Sequence, residues 1–101
     1  MSSLLLKAFT IYDAKTDVYS EPFFSPNKAA AMRMAYVQMQ RDPQHPWVLF
    51  SSDYGIFEIG EFRVDTGVYT AYPGKESVAL MWEISEYFAP NDQGATNMGE
   101  E

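Results

Sequence analysis

The sequence contains no cysteine. Disulfides, thiolate metal sites and cysteine nucleophiles are therefore excluded, and the fold must stand on packing alone, as suits a chain in a reducing cytoplasm. There is one histidine, His45, between Gln44 and Pro46, so no second imidazole or thiol completes a metal site of familiar spacing. No glycine-rich phosphate loop or nucleophile elbow is present, and the carboxylates are scattered through turns and exposed strand faces. The expectation is a protein that is not an enzyme, with no catalytic residues, metal or cofactor. Basic residues are few: seven Lys and Arg stand against fourteen Asp and Glu, a formal charge of −7. That balance opposes a grip on duplex DNA by phosphate neutralisation over the whole surface. No apolar run approaches the eighteen residues of a membrane span. The start, Met1-Ser2-Ser3-Leu4-Leu5-Leu6-Lys7, lacks the basic leader and cleavage site of a signal peptide, so a soluble intracellular protein without membrane contact is expected.

Against these absences stands a surplus of rings. Seven Phe, seven Tyr and two Trp in 101 residues are enough to fill a small core and leave some over. The apolar share of 47% and charged share of 21% are those of an ordinary globular domain, and the length fits one. Residues 1–88 are expected to form a single α+β domain. Residues 89–101 are polar, poorly patterned and carry Asp92, Glu100 and Glu101, so they are expected to be a disordered acidic tail, without which seven basic residues face eleven acidic ones.

Leu5, Lys7, Phe9, Ile11 and Asp13 alternate with Leu6, Ala8, Thr10 and Tyr12, which predicts a strand with Phe9 and Ile11 on its buried side. Asp13 to Asp17 is turn-like and Val18-Tyr19-Ser20 returns, giving a hairpin over residues 5–21 that Pro22 stops or confines to an edge. Ser25-Pro26-Asn27 signals a helix start. From Lys28 to Arg41, Ala31, Met32, Ala35, Tyr36 and Met39 share one helical face, and Asp42-Pro43 ends the helix. Residues 42–54 are irregular, with Trp47, Leu49 and Phe50 expected to tuck under the domain. A strand with Phe57 and Ile59 alternating against Glu58 and Gly60 runs through Phe62. Asp65-Thr66-Gly67 turns it, Val68 to Tyr72 returns and Pro73-Gly74 closes the second hairpin. Glu76 to Phe88 fits a helix presenting Ser77, Leu80, Met81, Ile84, Tyr87 and Phe88, or a strand aligning Val78, Leu80, Trp82 and Ile84; its length favours the helix.

Phe9-Thr-Ile-Tyr-Asp13 with Thr16-Asp-Val-Tyr-Ser20 resembles Phe57-Glu-Ile-Gly-Glu61 with Thr66-Gly-Val-Tyr-Thr70. Two ββα halves sharing one antiparallel sheet, with one or two helices on one face, would account for this; so would two hairpins that converged on common strand residues. In the hairpin arrangement Tyr12, Tyr19, Phe62 and Tyr69 alternate away from the side of Phe9 and Phe57, and Lys7, Lys15, Arg63 and Lys75 lie on or near the same hairpins. Rings on an open face with a few cations can hold single-stranded nucleic acid by stacking. They can equally form second-layer core or a homo-oligomer interface. Tyr12, Lys15, Tyr19, Phe62, Arg63 and Tyr69 are the candidate nucleic-acid-binding set.

Three segments together are distinctive: Ile11-Tyr12-Asp13-Ala14-Lys15-Thr16 leading to Tyr19 and Pro22-Phe23-Phe24; Asp42-Pro43 with His45-Pro46; and Asp53-Tyr54-Gly55-Ile56-Phe57-Glu58-Ile59-Gly60-Glu61-Phe62 leading to Thr66-Gly67. Their order and spacing, over about residues 7–72, resemble the small nonstructural protein of microviruses, the single-stranded DNA phages of the gokushovirus type. The apolar stretch Trp47-Val48-Leu49-Phe50 departs from the polar loop common in that family. The resemblance implies a phage protein made in the host bacterial cytoplasm, absent from the capsid, and acting around single-strand synthesis or genome packaging. It brings no catalytic residues. Single-stranded DNA is the partner it suggests; the alternative is a self-associating adaptor, such as a homodimer, for phage replication or assembly proteins or a host factor.

Overall fold

The computed structural model describes residues 4–89, so the acidic tail expected at 89–101 lies outside the described residues from residue 90 onward. One antiparallel sheet of five strands carries helices on one face, the α+β arrangement expected from the sequence. β1 (Leu5–Asp13) and β4 (Tyr54–Arg63) form its centre, β2 (Val18–Tyr19) and β3 (Phe23–Ser25) both pair the outer edge of β1, and β5 (Tyr69–Leu80) forms the other edge. The helices are α1 (Lys28–Arg41), the single-turn α2 (Pro46–Leu49) and α3 (Met81–Phe88). Among the described residues no helix is long and apolar enough to cross a membrane.

The first hairpin closes on side-chain chemistry. Asp13 accepts from the Lys15 amide and the Thr16 hydroxyl, both at 2.9 Å, while Asp17 takes a left-handed φ of 60°. The return strand is interrupted where Pro22 removes a donor, and pairing resumes at β3. Asn27 caps α1 by accepting from the Ala30 amide at 2.8 Å. His45 does the same for α2, its Nδ1 accepting from the Trp47 amide at 3.1 Å. Ala31, Ala35 and Met39 of α1 and Met81 and Ile84 of α3 close over Phe9, Ile11, Ile56 and Ala79 from the sheet. Phe9 is fully buried, so Phe9→Ala is expected to cost about 3–5 kcal/mol.

Several expectations are corrected. β5 does not end at Pro73-Gly74: it pairs β4 through Ala71 with Gly60, skips Tyr72 to Lys75, and resumes with Glu76 opposite Glu58. The strand then continues to Leu80, so the helix expected over 76–88 begins only at Met81, where β5 reaches the end of β4 and the chain turns back over the core. Tyr87, assigned to the helix's inner face, is 69% exposed. Leu49 and Phe50 are 53% and 55% exposed and do not tuck under the domain; Trp47 does so in part, since one turn of helix can turn only one side inward. The order β2-β1-β4-β5 sets two hairpins side by side, as two ββα halves would, yet the similar segments do not present equivalent faces. Phe9 points into the core, whereas Phe57 meets Tyr12 on the opposite face.

That reversal has a local cause. Ala8 pairs Gly60 and Phe9 pairs Glu58, so Ile59 is an extra residue in β4. A bulge of this kind shifts the alternation by one. Phe57 thereby shares the open face with Phe62, and Glu58, expected to be solvated on the outside, turns under the helices.

Candidate nucleic-acid interface

The face of the sheet away from the helices carries six rings: Tyr12, Tyr19, Phe24, Phe57, Phe62 and Tyr69. They form two groups along β1. In the first, Tyr12 pairs across strands with Tyr19, centroids 4.6 Å apart, and meets Phe57 edge-on at 5.8 Å. In the second, Phe24 lies 5.5 Å from Phe62, and Tyr69 is the cross-strand partner of Phe62. Tyr19, Phe24 and Tyr69 are each 43–47% exposed, so each keeps part of its ring surface in water while neighbours hold the rest. Gly60 makes the second group possible: a Cβ there would stand 2.6 Å from the Tyr69 hydroxyl oxygen, so the phenol can lie across the strand only above glycine.

The cations sort differently from the sequence expectation. Lys15 sits in the β1–β2 turn and lines a groove with Phe50, Asp53 and Tyr54 instead of standing over the rings. Arg63 is opposite Leu5, on the other side of β4 from Phe62, and its guanidinium grips Asp65 at 2.8 and 3.1 Å. The pairing sets a carboxylate against its charge and raises its pKa further, chiefly through the hydrogen bond to Asp65. Lys7 is engaged by Glu61 at 2.8 Å. The cation that does reach the rings is Lys75, outside the candidate set, whose Nζ is 5.6 Å from the Tyr19 centroid and 5.4 Å from that of Phe57. It comes from the segment of β5 that skips pairing, and no sequence signal marks that excursion beyond Pro73-Gly74.

Tyr12 donates its hydroxyl to Asp17, and that hydrogen bond leads the causes that push the phenol up to about 12. The same hydrogen bond holds the ring in orientation. Part-exposed rings beside an ammonium can stack planar groups and meet a phosphate between them.

Beneath the opposite face lies the polar cluster the sequence did not reveal. Glu58 is 2% exposed, accepts from the Tyr72 hydroxyl, and has Lys28 Nζ 2.9 Å from Oε1 and Lys7 Nζ 3.9 Å from Oε2. Lys28 holds Oε1 as an ion pair. Burial pushes the Glu58 pKa up, but the Tyr72 hydroxyl and the two ammonium groups outweigh it, and the carboxyl titrates below its ordinary value. Tyr72 is pushed up to about 12, first by burial and then by the Glu58 carboxylate. This cluster ties β1, β4, β5 and α1 together. Among the described residues no group of three or more His, Cys, Asp or Glu side chains is placed to hold a metal.

The family model described as Phage ORF5 protein matches residues 6–85. No curated protein and no solved structure matches the chain.

Proposed function

The chain belongs to the Phage ORF5 protein family, and from that premise we propose that it is a non-enzymatic nonstructural protein of a microvirus-type phage that binds single-stranded DNA through the open aromatic face of its sheet. The role is carried out in the host cytoplasm, around synthesis or packaging of the single-stranded genome. The observation that supports this reading is the pair of ring groups on one uncovered face, with Lys75 against Tyr19 and Phe57. Each base stacked on such a ring is worth about 1–3 kcal/mol, so several stacked together approach the roughly 8 kcal/mol of micromolar binding with few phosphate contacts. A charge of −7 then acts as a filter, disfavouring duplex DNA while bases remain attractive.

Fluorescence anisotropy of a labelled single-stranded oligonucleotide, titrated at low and moderate salt, tests it. Saturable binding, little affected in Arg63→Ala and lost in a folded Tyr19→Ala, Tyr69→Ala double variant, is expected. Absence of saturation at low salt would sink the reading. It would then favour the second one, a protein-interaction adaptor, for which the exposed Leu49 and Phe50 are the specific support.

A further inference from the structure

Helix α1 has an electrostatic character unlike the rest of the chain. Its fourteen residues include Lys28, Arg33 and Arg41 and no carboxylate, so the remainder of the chain holds four basic residues against fourteen acidic ones. Arg33 and Arg41 have no ion-pair partner among the described residues. They stand two turns apart, about 12 Å along the axis, beside a shallow groove of about 390 Å³ floored by Ala30, Met34 and Val37. Met34 and Val37 are about two-fifths exposed on this face, with no described residue covering them.

The groove's direction follows from what α1 touches on its other side. Tyr36 packs on Phe88 of α3, ring centroids 5.2 Å apart, and Ser85 of α3 donates to Met39 Sδ at 3.7 Å. At 100° per residue, Ala30, Met34, Val37 and Arg41 lie on the flank of α1 away from α3, above the β2–β3 edge of the sheet. The same reasoning applied to α3 puts Glu83, Glu86 and Tyr87 on its flank away from α1, above the β5 edge, and all three are exposed. One margin of the helical layer is thus cationic and aliphatic, and the opposite margin is anionic and aromatic.

We propose that a second copy of this chain docks the Glu83–Glu86–Tyr87 flank of its α3 against the α1 groove of the first. The two flanks are complementary in charge, and both carry apolar side chains that remain in water in the single copy. A groove-to-groove dimer would bring four guanidinium groups together, so the contact is head to tail. Head-to-tail contacts leave a free margin at each end and extend into rows. The skipped residues and Pro73 in β5 interrupt its free edge, so the helical flanks, not continuous strand pairing, carry the contact. Exposed ion pairs contribute little each, so association is weak and salt-sensitive.

Sedimentation velocity of the full chain without DNA tests the proposal independently of the DNA-binding reading. The wild type should show a sedimentation coefficient that rises with concentration and falls back with salt. Arg33→Glu with Arg41→Glu destroys one margin; Glu86→Lys with Tyr87→Ser destroys the other and leaves the Glu83 cap on the Leu80 amide intact. Each double variant alone, with its far-ultraviolet circular dichroism unchanged, should remain monomeric. An equimolar mixture should regain association, because each supplies the margin the other lacks. A wild type that stays monomeric to its solubility limit, a variant that associates like wild type on its own, or a mixture that stays monomeric would each overturn it. A monomeric wild type whose DNA affinity falls in the arginine variant would also overturn it, by making the groove a nucleic-acid contact.

Discussion

Asp17 accepts the Tyr12 hydroxyl from a backbone position with φ of 60°, which asparagine also tolerates. Asp17→Asn should therefore keep the turn, remove the charge, and bring the Tyr12 pKa from about 12 toward 10, read by ultraviolet titration of the phenol. Glu58 gives the second test at this scale. Its folded pKa lies below the ordinary 4.5, so its stabilisation is present above that value and is lost as pH falls through the lower folded one. Glu58→Gln should lower stability at neutral pH by about 1–3 kcal/mol and flatten the acid limb of a denaturation series. Half-exposed Lys28 can return to water, which keeps the cost below that of breaking a wholly buried pair. A third substitution, Gly60→Ala, sets a Cβ 2.6 Å from the Thr70 carbonyl oxygen and the Tyr69 hydroxyl. Displacement of the Tyr69 ring and a loss of about 1–3 kcal/mol in chemical denaturation are expected.

Elements were legible where one period runs unbroken. Helix α1 follows from a cap at Asn27, a face of Ala31, Ala35 and Met39, and a stop at Asp42-Pro43. Asn27→Ala should cost about 1 kcal/mol in thermal or chemical unfolding, since it orphans the Ala30 amide. β1 was equally readable because its alternation holds from Leu5 to Asp13. β4 was not, since nothing local distinguishes Ile59 as the residue the ladder skips; one bulge moved Phe57 to the open face and Glu58 beneath the helices. The boundary at Leu80 was hidden for a related reason. Residues 76–80 have the length and composition to extend α3, and only the unfilled edge of β4 makes them strand. Of the candidate set, the four rings could be placed by alternation and turn chemistry, whereas Lys15 and Arg63 were chosen by proximity in sequence. Arg63 then found Asp65 two residues away, and Lys75 reached the rings through a tertiary excursion.

At the scale of the molecule, charge and ring content divide between surfaces. The open sheet face holds aromatic surface with a single close ammonium; the helical layer holds a cationic margin and an anionic one. This division sets two candidate routes for a polyanion, base stacking on the sheet or phosphate contact along α1, and they differ in salt response. Few phosphate contacts predict a shallow slope of log affinity against log salt, close to that of one or two released counterions. The most direct test is an amide and aromatic NMR titration of isotopically labelled protein with a short oligothymidylate. Shifts centred on Tyr12, Tyr19, Phe57, Phe62 and Tyr69, with α1 amides unmoved, are the predicted result. Shifts confined to α1 around Arg33 and Arg41, or none at saturating oligonucleotide, would contradict the aromatic face as the site of single-strand binding.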